Sequence, residues 1–147
     1  TRMDNDIKIQ GYKYHMNNMN AAIGLCQLKY IEMVIKKYID NGRYFDQSLE
    51  NVSGIELLKY YPNSEPSYWL YTLKVEDRAG LIRKLNENGV TASELHKRND
   101  LHSYFSESSC ELSNLNEFYP KLLHIPCGWW VTQEDREKIS SIIKSGW

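Results

Sequence analysis

From Asn17 onward the stretch NNMNAAIGLCQLKYIEMVIKKYI places an apolar residue every three or four positions: Met19, Ile23, Cys26, Tyr30 and Val34. That spacing predicts an amphipathic helix with Asn17 or Asn18 as its N-cap. A second stripe, Ala22, Leu25, Leu28, Ile31 and Ile35, runs beside the first, so the helix has two surfaces to cover. A chain of 147 residues has room for one ordinary core. One of the two surfaces is therefore expected to meet another chain or another domain. The triplet Asp40-Asn41-Gly42 either ends this helix or is tolerated inside it. The favoured reading is one long, bent helix that continues through Tyr44, Phe45 and Leu49 and stops at Gly54.

Downstream, IELLKYY reads as a strand, PNSEPS as a loop, and YWLYTLKV as a strand with Trp69, Tyr71, Leu73 and Val75 on one face. Asp77 opens a short helix carrying Leu81, Ile82 and Leu85 that closes at Asn88 and Gly89. VTASEL is expected as a strand, residues 103–121 as a loop with one helical turn at LNEFYP, and KLLHIP as another strand. Thr132 with Asp135 three residues on resembles a capping box for a last helix carrying Ile139, Ile142 and Ile143. This order predicts an α/β fold of the α+β type. It is a two-layer sandwich of a small, mostly antiparallel sheet with helices on one side, preceded by the long helix. Residues 1–15 form an extended arm and 16–147 a single small domain.

Composition removes several classes. Hydrophobic residues make up 41% and charged residues 25% of the chain, and its apolar runs are broken well short of the ~18 residues a membrane span needs. Eighteen basic and 19 acidic residues are scattered to a net charge of -1, which leaves no basic stripe for nucleic acid. Cys26, Cys110 and Cys127 lack CxxC spacing and fit a reducing, cytoplasmic setting. The 11 Tyr and 4 Trp exceed what one small core needs; such a surplus belongs at interfaces or ligand sites.

There is no GxGxxG, GxxxxGK[ST], GxSxG or HExxH motif, so the commonest nucleotide, hydrolase and zinc machines are not readable here. Cys26, on an apolar helix face, reads as a small hydrophobe. In HKRNDLH the two histidines stand six apart with no third ligand, a poor metal site. Two readings of this segment remain. As a site, Arg98 offers a planar fork to phosphate or carboxylate, His96 and His102 offer donors, and Asn99 and Asp100 suit sugar hydroxyls. Otherwise it is a solvated loop after a strand. In PCGWWVT the adjacent tryptophans are expected to point opposite ways, one into the core and one outward. His124, in LLHIP, reads as a core or supporting residue.

The stretch GYKYHMNNMNAAIGLCQL resembles the GYNYRMxxxQAAxGxxQL motif of the pyridoxal-phosphate-dependent DegT/DnrJ/EryC1/StrS sugar aminotransferases. Gly11, Tyr12, Tyr14, Met16, Ala21, Ala22, Gly24, Gln27 and Leu28 stand in register. The aromatic start SYWLY, LNENGV, the histidine His96 and the finish LHIPCGWWVTQEDREKI are similar in order, so the resemblance covers essentially the whole chain. It implies the C-terminal domain of a longer fold type I aminotransferase, whose large domain, bearing the Schiff-base lysine, lies upstream of the region resembling Gly11. It also implies a homodimer in which the arm reaches the partner's pyridoxal phosphate, with Lys13 and His15 near the phosphate. The motif more often has Asn and Arg at those two positions. His96, Arg98, Asn99 and His102 would line the nucleotide-sugar pocket. The implied reaction is transfer of an amino group, usually from glutamate, to a keto-sugar nucleotide, with this chain silent by itself and no cofactor held by it alone. The competing reading is a free-standing α/β binding or interaction module that keeps the fold without the chemistry. A hydrolase or metal enzyme built on His96, His102 and a cysteine is the weakest of the three.

Overall fold

The computed structural model describes residues 5–108 and 110–147. The long helix of the sequence reading is two helices, α1 (Asn18–Leu28) and α2 (Ile31–Ser48). Asn17 caps the first, its Oδ1 accepting from the Asn20 amide at 2.9 Å. At Tyr30 the backbone is stretched away from regular helix values (φ -108°, ψ -4°). Its amide turns three residues back to the Gln27 carbonyl, which interrupts the ladder for one turn. The division follows the packing. No residue of α1 is buried, whereas α2 buries Asn41, Gly42 and Phe45. Gly42 is tolerated in the helix because the Tyr68 ring lies directly on its backbone, where a Cβ would collide with the ring.

After α2 the chain turns through Asn51 and Gly54, both at positive φ, into β1 (Ile55–Leu57). β2 (Tyr71–Val75) pairs antiparallel with β1 and, on its other side, with β3 (Leu122–Ile125). The register sets Leu73 opposite both Leu57 and Leu123, and Tyr71 opposite Ile125. Alternation then puts Tyr71, Leu73, Val75, Leu123 and Ile125 on one face, all buried. Onto them pack Phe45 and Leu49 at the end of α2, Leu81 and Leu85 of α3 (Arg78–Glu87), and Ile139 and Ile143 of α5 (Gln133–Lys144). The opposite face presents Thr72, Lys74, Leu122 and His124. The caps expected at Asp77 and Thr132 are present: Asp77 accepts from the Gly80 amide at 2.9 Å, and Thr132 and Asp135 form a reciprocal capping box. The two-layer α+β architecture is thus observed.

Four local expectations are corrected. VTASEL makes one bridge, Ser93 to His124, and then leaves the sheet because Leu95 sits at φ +39°, so the sheet has three strands. Trp69 does not extend the buried face of β2. Tyr68, at φ +48°, rotates the chain just before it, and Trp69 is 64% exposed. Neither Trp129 nor Trp130 enters the core. Residues 128–131 form a turn closed by the Val131 amide on the Gly128 carbonyl, so strand alternation does not apply, and Cys127, Gly128 and Val131 are buried there instead. Cys26 is exposed rather than packed.

Among the described residues no helix is long and apolar enough to cross a membrane. No group of three or more His, Cys, Asp or Glu among them is placed to hold a metal ion.

Candidate functional site

Between Leu95 and β3 the chain crosses the polar face of the sheet in short helical pieces: 3-10 turns at Asn99–Leu101 and Ser103–Ser108, then α4 (Ser113–Phe118). Asn-Asp and serine-rich sequence favours such turns over a strand. They enclose an open cleft of about 610 Å³, lined among others by His96, Arg98, Asn99, Asp100, Phe105 and Tyr119. Leu112, Leu115 and Leu122 give it an apolar floor. A concave apolar surface with a few convergent polar groups is the usual form of a small-molecule site.

Arg98 is present at the cleft, but its fork is occupied. Nε and Nη2 donate to the two Asp100 carboxylate oxygens at 2.9 and 2.6 Å, and Nη1 donates to Asn116 Oδ1 at 2.7 Å. This bidentate pair holds the Asp100 carboxyl below its ordinary range. An incoming phosphate must therefore compete with Asp100 for Arg98. Tyr119 stands between two guanidinium groups, Arg78 at 5.6 Å and Arg98 at 5.9 Å from its ring centroid. Its hydroxyl donates to the His96 carbonyl at 3.0 Å and fixes the start of the segment.

His96 and Asn99 are exposed at the cleft. The His96 ring lies 6.2 Å from the Trp69 ring and edge-on to His124 at 6.3 Å. Tyr68 and Leu95, the two residues that precede Trp69 and His96, both have positive φ. Left-handed backbone at non-glycine residues is held only where the surroundings impose it, and here it turns both rings out of the sheet. His124 is half-buried. Its Nδ1 lies 3.1 Å from Thr72 Oγ1, and its Nε2 is buried without a partner among the described residues. Burial, and then the nearby His96, push its pKa down, so His124 is neutral at neutral pH.

His102 is not at the cleft. It is 7% exposed, and its Nδ1 accepts from the Ile7 amide at 3.1 Å. It anchors the arm. Asp6 accepts from the Ser103 amide at 2.8 Å and from its hydroxyl at 2.6 Å, and the Tyr104 amide donates to the Ile7 carbonyl. Those bonds hold the Asp6 carboxyl below its ordinary 3.8. A depressed carboxyl contributes its stability above the ordinary value and loses it as pH falls through the lowered one, so acid is expected to loosen the arm. His102→Ala removes the acceptor for Ile7 at any pH. Limited proteolysis should then cut within residues 5–10 roughly tenfold faster than in wild type; an unchanged rate would show that the arm is held by something else. Lys13 and His15, further along the arm, are exposed and do not line the cleft.

Sequence reasoning missed Tyr119, Asn116 and Trp69. Tyr119 and Asn116 lie in a segment without periodicity, and the alternation that groups Trp69 with Tyr71, Leu73 and Val75 is broken by Tyr68. The Arg98–Asp100 pair was readable, since opposite charges two apart in a turn segment are in reach of each other.

The fold and cleft together define a small α+β domain that presents a half-open site on the polar side of its sheet, under the short helical pieces between Leu95 and β3. The chain belongs to the DegT/DnrJ/EryC1/StrS aminotransferase family, whose model matches residues 2–144. It is similar to two solved structures, the sugar aminotransferase CalS13 from Micromonospora echinospora and AtS13 from Actinomadura melliaura. The first is 34% identical, with a TM-score of 0.87, over 93% of this chain and 37% of that one. The second is 37% identical, with a TM-score of 0.86, over 97% and 38%. The 3-oxo-glucose-6-phosphate:glutamate aminotransferase of Bacillus subtilis (strain 168) is 28% identical over 88% of this chain. The chain spans about a third of that protein's length (31%).

Proposed function

We propose that this chain is the C-terminal domain of a pyridoxal-phosphate-dependent sugar aminotransferase, and that its cleft receives a nucleotide-linked keto-sugar. The observation that carries the reading is the cleft itself. It is built by the segment from His96, in a chain whose family membership covers nearly every residue. Its exposed donors, His96 and Asn99, suit sugar hydroxyls, and Phe105 with Leu112, Leu115 and Leu122 offers an apolar surface for a ring. Arg98 acts chiefly through Asp100 and Asn116, holding the segment in shape and lending the cleft a masked positive charge.

The cleft's described residues do not make a seat for pyridoxal phosphate. The cleft's lysine, Lys97, donates to the Asn5 carbonyl at 3.2 Å, and Arg98 is already neutralised by Asp100. We therefore place the cofactor on a large domain joined to this one, and derive no chemical step from the residues present. When bound there, pyridoxal phosphate supplies the electron sink for moving an amino group. This chain contributes sugar contacts and, through Lys13 and His15 on the arm of a homodimer, donors for the partner subunit's cofactor phosphate. Glutamate is the proposed amino donor, and the chain alone is expected to transfer no amino group.

The test is His96→Ala in an enzyme that carries both domains. His96 is exposed, so its loss is expected to leave Tm unchanged while the affinity for a dTDP-linked keto-sugar falls roughly tenfold. Wild-type affinity in that variant would remove the cleft from the reading. The alternative, a free-standing interaction module, is favoured by one observation, the uncovered apolar surface of α1.

A further inference from the structure

A second groove, between α2 and the start of α5, takes no part in the cleft above. It encloses about 490 Å³ and is lined by Lys37, Asp40, Asn41, Arg43, Tyr44 and Arg136, with residues 131–133 at one end. Arg136 sets its chemistry. The guanidinium lies 4.7 Å from the Tyr44 ring centroid, and Nη1 donates to Asn41 Oδ1 at 3.3 Å. Asn41 is itself fixed and buried, its Nδ2 donating to the carbonyls of Gly128 at 3.0 Å and Val131 at 3.2 Å. The Arg136 fork is therefore oriented by two neutral groups, a ring and an amide, and its Nε is buried without a partner among the described residues. No carboxylate among those residues lies within ion-pair distance of Arg136 or Lys37. Asp40 is taken by Lys36 at 2.6 Å, and Arg43 is shared with Glu65 at 3.3 Å. Asp135, in the first turn of α5, is tied to Thr132.

Two cations, Arg136 and Lys37, thus line the groove without a carboxylate partner among the described residues, and a third, Arg43, is shared with Glu65. A buried or half-buried arginine is ordinarily paired, because a desolvated charge without a counter-charge is costly. An oriented, unpaired fork flanked by two further cations is the arrangement that captures an oxyanion. The excess of positive charge matches the roughly -1.5 to -2 of a phosphate monoester better than the single charge of a carboxylate.

We propose that this groove is a binding site for a small phosphate-bearing molecule. The outer edge of the Arg136 fork takes two oxygens, and Lys37 and Arg43 close on the remainder. The site is separate from the cleft and does not depend on the function proposed for it.

The test uses the whole chain, labelled with nitrogen-15 and titrated with inorganic phosphate at constant ionic strength. The Arg136 Nε–H signal, distinct from backbone amides, reports the site directly. A saturable shift in the millimolar range is expected. Lys37→Gln combined with Arg43→Gln changes two exposed residues and leaves Arg136 and its Asn41 contact in place; it should weaken binding by roughly tenfold or more. Acetate separates the two sources of an oxyanion, and is expected to bind several-fold more weakly than phosphate. Absence of saturation, an equal shift with sodium chloride, unchanged affinity in the double variant, or acetate binding as tightly as phosphate would each overturn the assignment.

Discussion

Asp46→Ala is expected to lower the unfolding free energy by about 3–6 kcal/mol. Asp46, on α2, receives the Tyr68 hydroxyl at 2.6 Å, the Tyr71 hydroxyl at 2.8 Å and, more distantly, the Tyr60 hydroxyl at 3.4 Å. Tyr71 is 1% exposed and Tyr68 is 8% exposed, so removing their shared acceptor takes the charged partner from two hydroxyls held at the edge of the core. A hydrogen bond to a charged acceptor contributes about 1.5–3 kcal/mol, and two such bonds give the range stated. Against a domain stability of about 5–15 kcal/mol this is a large fraction. Asp46→Asn keeps one acceptor oxygen and should cost about half as much, and Tyr71→Phe should cost about one bond. Urea denaturation measures all three; an Asp46→Ala value within about 1 kcal/mol of wild type would show that the hydroxyls find other acceptors. The network also fixes behaviour in alkali. Burial, and then Asp46, push the Tyr68 and Tyr71 pKa values far above 10. A group whose pKa is raised in the folded state contributes its stability below the unfolded value and loses it as pH climbs beyond that value. The chain should therefore weaken progressively above about pH 10, the ordinary tyrosine value.

The same tyrosines show where sequence is legible and where it is not. The helices α3 and α5 are written locally, in Asp77 and Gly89 and in the Thr132–Asp135 box, because each cap is a contact between residues three apart. The pairing of β2 with β3 follows from alternating Tyr71, Leu73 and Val75 against Leu123 and Ile125. By contrast, the positive φ at Tyr68 and Leu95 comes from tertiary packing. Tyr68 is drawn onto the Gly42 backbone and toward Asp46, contacts 22 or more residues away. Neither bend falls on a Gly or Asn, so alternation groups Trp69 with Tyr71 and reads VTASEL as a strand. The site shows the same division. HKRNDLH announces a polar cluster, and His96, Arg98 and Asn99 do reach one cleft. His102 belongs instead to the arm, because its Ile7 partner lies 95 residues away in sequence. The resemblance in GYKYHMNNMNAAIGLCQL carried the family because it matches residue by residue, which does not require any long-range contact to be inferred.

The second large effect concerns α1, and it is a change of assembly state. Met19 is 75%, Ile23 54%, Leu25 71% and Leu28 60% exposed, and Ile31, Met33 and Ile35 continue the apolar surface into α2. Single exposed apolar residues are ordinary, but a continuous two-striped helix with nothing buried is a surface made to be covered. Among the described residues nothing covers it: α1 has no buried residue, and the core cluster does not include it. In the proposed full enzyme a large domain and a partner subunit share the two stripes. In the isolated chain, a second copy is the available apolar surface, and a two-fold pairing lets each α1 cover the other. Sedimentation equilibrium is therefore expected to give a species of at least twice 17.3 kDa. Ile23→Glu with Leu28→Glu should convert it to monomer without lowering Tm, since neither residue supports the core. Lys138→Glu on α5, a solvent-facing charge reversal away from α1, should leave the assembly intact. A clean monomer for the unsubstituted chain at tens of micromolar would mean that α1 tolerates water as it stands, and the need for a covering domain would lose its physical basis.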